Sequence, residues 1–502
     1  MTSPSNSAIF YSILFFLPIV LFLFRRQFSR KLNLPPGPRP WPLIGNLNLI
    51  GPLPHVSIHS LSQKYGPLMH LKYGLSPVVV GSSAEVAELL LKTHDISFAS
   101  RPALLAGKYT TYNYSAMSTA PYGPYWRQAR KICLMELLSA KRLDQFEYIR
   151  LFKSASTPVH LKDRLYTLNL TLICRMVLGK RYTDEAEKNT VTPKDFTEMI
   201  EELFLLIGIL DIGDSIPWLA SFDLQGHVKR MKDVSKKLDK FYEGILDEHH
   251  ERRKSVKGYG VHDMVDVLMQ LADDPSLEVK LEREHIKALI QDLLTAGTDT
   301  SAISVEWAMS ELLKNPEAIQ KATEELDRVI GKDRWVEEKD IVNLPYIEAI
   351  VKETMRLHPV APLLLPRVAR DDCRVAGYDI LRNTRVVVNV WAIGRDPTMW
   401  EKPNEFRPHR FIDKNIDVKG HDFQLLPFGS GRRICPGYAL GLKVIQSTLA
   451  NLLYGFEWKL PGDMKNEDLD MEDRFGLTMS RKTPLVVVPS KPRLSLHLYS
   501  CE

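Results

Sequence analysis

Between residues 282 and 313, apolar side chains return at helical spacing: Ile286, Leu289, Ile290, Leu293 and Leu294 share one face. The pattern predicts a long helix over Glu282–Leu313 with that face buried. Its middle, Ala296-Gly-Thr-Asp-Thr-Ser301, is poor helix-forming material. Leu68–Tyr73 and Val78–Val80 flank a Gly-Leu-Ser-Pro turn and read as a β-hairpin. Ser83 caps a short helix running toward Lys92. Residues 251–260 read as an exposed basic loop between helices, residues 461–474 as an exposed acidic stretch, and Leu485–Val488 as a terminal strand. Helical pattern dominates, so the fold class is mainly α with a minor β region.

The N-terminus has a different pattern. Ala8–Phe24 is apolar apart from Tyr11 and Ser12 and carries no charge over its 17 residues. That is near the lower limit for crossing a bilayer as a helix, and the kink expected at Pro18 is tolerated there. Arg25, Arg26, Arg30 and Lys31 follow at once, while residues 2–7 hold no cation. The positive-inside rule therefore predicts a single-pass anchor with the body on the cytosolic side. A cleaved signal peptide needs a basic n-region and a small-residue cleavage site, and neither is present. The sequons at Asn113 and Asn169 then stay unmodified. Five prolines in Leu34–Pro42 impose a stiff extended path that orients the rest of the chain. The expected organisation is an anchor with its basic stop at 1–30, then one catalytic unit at 31–502 that begins in this Pro-rich hinge.

Composition adds mostly exclusions. Hydrophobic residues at 44% and charged residues at 25% are globular values, and no linker or repeat divides the 502 residues. The net charge, 66 − 61 = +5, is mild and its basic residues are scattered, which gives nucleic acid no footprint. Cys133, Cys174, Cys373, Cys435 and Cys501 are few, odd in number and far apart, so no disulfide framework is expected.

The chemistry concentrates at Phe428-Gly-Ser-Gly-Arg-Arg-Ile-Cys-Pro-Gly437. A zinc site wants several Cys or His at short spacings; one cysteine among glycines and arginines suits a lone thiolate ligand to haem iron. Glycines let backbone N–H groups approach the sulfur, and Arg433 adds a cation that favours the anion. A thiolate pushes electron density onto the iron and favours O–O cleavage. Phe428, Gly431, Arg433, Cys435 and Gly437 match F-x-x-G-x-R-x-C-x-G, and in this motif the chain resembles the cytochrome P-450 superfamily of haem-thiolate monooxygenases. It is most similar to the plant group of flavonoid hydroxylases and terpenoid oxidases.

That resemblance implies the cytochrome P-450 fold, haem b held by Cys435 with Phe428, Gly429 and Gly437 around it, and a location in the endoplasmic reticulum membrane. It implies propionate contacts from Trp126, Arg130, Arg367 and Arg433. Trp126 and Arg130 lie four apart and can present an indole N–H and a guanidinium on one helix face. It also implies catalytic roles for Asp299 and Thr300 as a proton relay. Taken alone, a threonine there returns its hydroxyl to a carbonyl one turn back or turns it toward a guest, and Gly297 lets a planar cofactor approach. Glu353 and Arg356, spaced as a surface pair worth about 0.3 kcal/mol, are expected to form a buried structural network with Arg410; His409 stands where the family commonly has Glu. Substrate-facing segments are expected at 101–121, 203–217, 289–301, 359–366 and 475–480, largely apolar and without a cation cluster. The implied function inserts one atom of O2 into an apolar plant metabolite, flavonoid, phenylpropanoid or terpenoid. Electrons come from NADPH through a separate flavoprotein reductase, since the strand-linked glycine fingerprint is missing. The alternatives are a reductase-independent peroxide isomerase or dehydratase, a terpenoid C–C cleaving oxidase of the same fold, and a non-catalytic haem protein.

Overall fold

The computed structural model describes residues 32–139, 159–179, 193–255 and 260–499. These residues form the helices α1 (Pro54–Tyr65), α2 (Ala84–Glu88), α3 (Leu105–Thr110), α4 (Pro124–Ile132), α5 (Leu161–Leu178), α6 (Pro193–Gly208), α7 (Ile212–Ser215), α8 (His227–Ser255), α9 (Met264–Ala272), α10 (Arg283–Lys314), α11 (Pro316–Ile330), α12 (Pro345–Leu357), α13 (Val390–Ile393) and α14 (Tyr438–Gly455). The strands are short: β1 (Leu68–Tyr73), β2 (Ser76–Gly81), β3 (Val159–His160), β4 (Arg367–Val368), β5 (Cys373–Val375), β6 (Tyr378–Ile380), β7 (Arg385–Val388), β8 (Phe456–Lys459), β9 (Asp473–Arg474), β10 (Ser480–Arg481) and β11 (Val486–Pro492). The mainly helical expectation with a minor sheet region holds.

The central element is α10, 32 residues and therefore about 48 Å long. Glu282 caps its start in a reciprocal box with His285, and Pro316, which has no N–H to continue the ladder, opens the next helix. Its first half packs in an apolar core with α5, α6, α8 and α9; its second half enters another core with α11, α12 and α14. The predicted hairpin is β1–β2, registered from Leu68 opposite Gly81 to Tyr73 opposite Ser76. β2 runs parallel to β7, and β4 completes the order β1-β2-β7-β4. β11 extends the predicted terminal strand to Pro492 and joins β3 and β8.

Two sequence expectations change. Glu251–Ser255 are the last turn of α8, because the basic side chains there pair along the helix: Arg252 with Glu248 and Lys254 with Glu251. In the acidic stretch, Leu469 is buried and Asp473 enters β9. Asn169 is also buried, with its amide donating to the Thr298 carbonyl at 3.1 Å, so that sequon offers no surface for a glycan. The expected anchor at Ala8–Phe24 lies outside the described residues; among those described, no helix is long and apolar enough to cross a membrane.

Candidate active site

The loop ahead of α14 is shaped by two glycines in the left-handed region, Gly429 at φ +72° and Gly431 at φ +69°. At Gly431 a Cβ would lie 2.2 Å from the Leu91 carbonyl oxygen, so only glycine fits. The Cys435 N–H donates to the Phe428 carbonyl at 2.9 Å and closes the turn. The Phe428 ring packs beside Gly441 and 6.3 Å from the Tyr438 ring. Burial pushes the Cys435 thiol pKa up, while the Gly437 N–H and the charge of Arg130 pull it down. The expected helper, Arg433, is not the group that acts on the sulfur. Its guanidinium donates to the carbonyls of Ala99 (2.6 Å), Met117 (3.1 Å) and Ala120 (2.6 Å).

The expected basic residues do converge. Arg433 lies 4.2 Å above the Trp126 ring, and Arg130 stacks on the same ring at 5.6 Å while donating to the Ile434 carbonyl at 2.9 Å. The Trp126 indole N–H donates to the Met117 carbonyl at 3.2 Å. Arg367 bonds to Asp95 at 3.1 Å and to the Ser430 carbonyl at 2.7 Å. Arg101, which no spacing motif marked, joins them through the carbonyls of Ser118, Leu365 and Pro366. Burial lowers the pKa of all four guanidiniums. The charges of Arg367 and Arg130 bring Arg433 further down, to about 9, and those of Arg433 and Arg367 act on Arg101 in the same direction. Buried and half-buried cations that repel one another and bond mostly to neutral carbonyls are suited to the propionates of a haem. On α10, Ala296 is exposed and Thr300 half-exposed in a stretch otherwise mostly buried, which gives such a cofactor an open face.

Along that face, Thr300 takes the local option: its hydroxyl donates to the Ala296 carbonyl at 2.7 Å. Asp299 is buried and accepts the Thr478 hydroxyl at 2.9 Å; burial raises its pKa, with Lys162 and Thr478 opposing. Thr478 was legible only as part of a segment. Gly297 is also corrected. A Cβ there would meet Ile173 Cδ1 at 2.6 Å, so this glycine admits α5 rather than a cofactor. Further toward the start of α10, Asp292 accepts the Met117 N–H at 2.6 Å and the Ser118 hydroxyl at 2.7 Å. That ties α10 to the residue whose carbonyl holds Trp126 and Arg433. Burial raises the Asp292 pKa to about 6 against these bonds.

The Glu353 network is buried, as expected. Glu353 accepts Arg356 Nε and Nη2 at 2.7 Å, Arg410 Nε at 2.9 Å and the Arg407 N–H at 2.7 Å. Arg356 also donates to the carbonyls of Gly394 and Pro403, pinning residues 394–410 to α12. His409 turns outward to Tyr346 and Lys321.

A cavity with about 1260 Å³ of atom-free space, its mouth included, opens beside these elements. Its wall draws on the expected segments near 101–119, 207–215, 361–366 and 475–477. Pro54, Tyr73, Val78, Arg385 and Val387 are additions from α1 and the sheet, whereas 289–301 contributes nothing to it. Its cations are Arg101, from an expected segment, and Arg385, from β7. Three polar members are already engaged: Ser118 with Asp292, Thr119 with Thr111, Asp214 with the Leu105 N–H at 2.7 Å.

Residues 35–488 match the family profile described as Cytochrome P450. A trimethyltridecatetraene synthase of Zea mays is 45% identical, covering 94% of this chain and 91% of its own. A flavonoid 3'-monooxygenase of Petunia hybrida is 43% identical, covering 98% and 99%. A zebra fish cytochrome P450 solved with progesterone superposes with TM-score 0.72 at 26% identity, covering 87% of this chain and 99% of that one. With the cysteine loop, the arginine cradle and the open face of α10 in place, the chain belongs to the cytochrome P450 family: it is an O2-dependent monooxygenase that uses haem b.

Proposed function

We propose that the chain oxidises an apolar, neutral isoprenoid, with electrons delivered from NADPH by a separate flavoprotein reductase. The observation that carries this reading is the cavity wall. Ile207, Ile209, Leu210, Ala361, Pro362 and Leu363–Leu365 are aliphatic, and Ser118, Thr119 and Asp214 are bonded within the protein. A polyphenol brings several hydroxyls that need partners, and leaving them unpaired on burial is costly. A hydrocarbon chain has no such demand. The Zea mays relatives at 45% and 44% identity are named as synthases of trimethyltridecatetraene and dimethylnonatriene, which agrees with this preference. Relatives named flavonoid 3'-monooxygenases, at 42–43%, keep a flavonoid ring as the second reading.

In this reading Cys435 would ligate the iron of haem b, and Arg101, Arg130, Arg367 and Arg433 would hold its propionates. Phe428, Gly429 and Gly437 shape the ligand loop, and Trp126 supports two of the arginines. The bound haem supplies oxygen activation. The chain's own contribution is to keep the thiolate under the Gly437 N–H and to seat the substrate on a dry wall. Protons are held at Asp299 Oδ2, beside the Thr478 hydroxyl, and passed toward the Thr300 hydroxyl when it leaves the Ala296 carbonyl. Keeping the Asp299–Thr300 pair argues against the peroxide isomerase alternative.

In the same reading, residues 1–30 form the membrane anchor and 31–502 the catalytic body, on the cytosolic face of the endoplasmic reticulum. Trp41, Leu43, Ile44, Trp218, Phe222 and Leu224 are exposed, and the segments holding them pack on the β1–β2 turn through the Gly74 and Leu75 N–H groups. Such a patch suits a membrane surface. The test is a microsomal assay with reductase, NADPH and a panel of isoprenoids, flavonoids and phenylpropanoids, read by mass shift. An oxygenated or chain-shortened isoprenoid, dependent on NADPH and O2, is expected. Turnover of flavonoids alone sinks the substrate assignment, and product from a hydroperoxide without NADPH sinks the reductase dependence.

A further inference from the structure

Behind the β9–β10 hairpin lies a group of polar atoms that are shut off from solvent and lack a protein partner. They are both ring nitrogens of His55, Nδ1 of His59, Nε1 of Trp391, Nη1 of Arg395 and Oδ1 of Asp473. His55 is wholly buried. The atoms are neighbours. Trp391 meets the His55 ring at 5.2 Å and the His59 ring at 5.6 Å, and the Arg395 guanidinium sits 4.1 Å above Trp391. His55 Nε2 and Asp473 Oδ2 are 4.0 Å apart, too far for a direct hydrogen bond and suited to a bridged one.

The donor set says what belongs there. Trp391 and Arg395 only donate, Asp473 accepts when ionised, and each neutral imidazole does one of each. Arg395 and Asp473 feel each other's charge, so the cation and the anion of the cluster oppose one another. Burial, followed by the Arg395 charge, brings the His55 pKa down to about 4, so this ring is neutral at physiological pH. A neutral molecule that both donates and accepts is required, small enough to sit between packed rings. Orphaned together, these groups would cancel much of a domain's net stability.

We propose that this cluster is a permanent internal water site, each molecule held by roughly three hydrogen bonds, which fixes the β9–β10 hairpin. The hairpin matters because it is shared. Phe475 stacks on His55 at 6.0 Å and, with Gly476 and Leu477, forms part of the cavity wall, and Thr478 holds Asp299. The water site thus positions a substrate wall and a proton-holding group without touching either reactant.

Two measurements on the haem-loaded protein test it. A crystal structure is expected to show ordered water bridging His55, Trp391, Arg395 and Asp473. Dry density, or side chains closed onto one another by direct bonds, overturns the proposal. The variant His55→Phe keeps a ring against Trp391 and Phe475 but removes both nitrogens. If water is held there, its network loses partners and Tm falls by several degrees with the carbon monoxide spectrum unchanged. If the nitrogens are orphaned in a dry site, the swap removes a penalty and Tm rises, which also overturns the proposal.

Discussion

Replacing Glu353 by Gln is expected to cost far more than its place in an i,i+3 pair suggests. The carboxylate and the Arg356 side chain are each wholly buried, and the Arg410 side chain is 8% exposed. Gln retains the shape but removes the negative charge and one of the two oxygens, which between them accept four hydrogen bonds: two from Arg356 and one each from Arg410 and the Arg407 N–H. Both guanidiniums then remain buried with only carbonyls as partners. Breaking such a pair from one side costs about 3–5 kcal/mol, a large part of the roughly 5–15 kcal/mol that holds a domain folded. The reference is Glu348→Gln in the same helix, where Glu348 is 47% exposed and pairs with Lys352; its expected cost is about 0.3–0.5 kcal/mol. Urea denaturation of both haem-loaded variants, followed by tryptophan fluorescence and the Soret band, gives the comparison. If Glu353→Gln falls within about 1 kcal/mol of Glu348→Gln, the buried-network reasoning, with its penalty for stranded charge, is refuted.

Thr300→Ala removes only a side-chain bond to the Ala296 carbonyl, so folding and haem binding survive. Product per NADPH is expected to fall, by roughly a hundredfold or less, with hydrogen peroxide rising and Thr300→Ser restoring coupling; unchanged coupling reduces the residue to its local bond. Asp292→Asn keeps both bonds, because the Ser118 hydroxyl can reverse, whereas Asp292→Ala loses them and is expected to release haem more readily. The Asp292 pKa is raised from 3.8 to about 6, so its charge is tolerated less in the folded state. Wild type should therefore lose stability relative to Asp292→Asn as pH rises through that window, and parallel melting curves would contradict this. Gly297→Ala should destabilise by about 1–3 kcal/mol through overpacking, and adding Ile173→Val, which removes the Cδ1 atom at 2.6 Å, should recover part of the loss in thermal melts.

The features legible in the sequence were periodic or punctuated. The long helix is legible to within a residue at each end, because its apolar face is a local signal. The cysteine loop could be read because its glycines and arginines are close in sequence. Arg101, Asp95 and Asp292 escaped because their roles exist only after distant segments meet: Arg101 bonds to Leu365 and Pro366, and Asp292 to Met117 and Ser118. The last turn at 251–255 is not legible locally because the partner of Arg252, Glu248, lies one turn back, outside the basic stretch. Gly297 was assigned to the wrong neighbour. Spacing shows that a close approach is needed but does not show which surface approaches.

The most direct measurement of the central claim is the carbon monoxide difference spectrum of reduced Cys435→His beside wild type, at matched haem content. Wild type should give the red-shifted band of a thiolate-ligated haem. Cys435→His should lose that band and its monooxygenase activity while the arginine cradle still retains some haem. A variant that kept both the band and the activity would contradict the assignment of Cys435 and the site built around it.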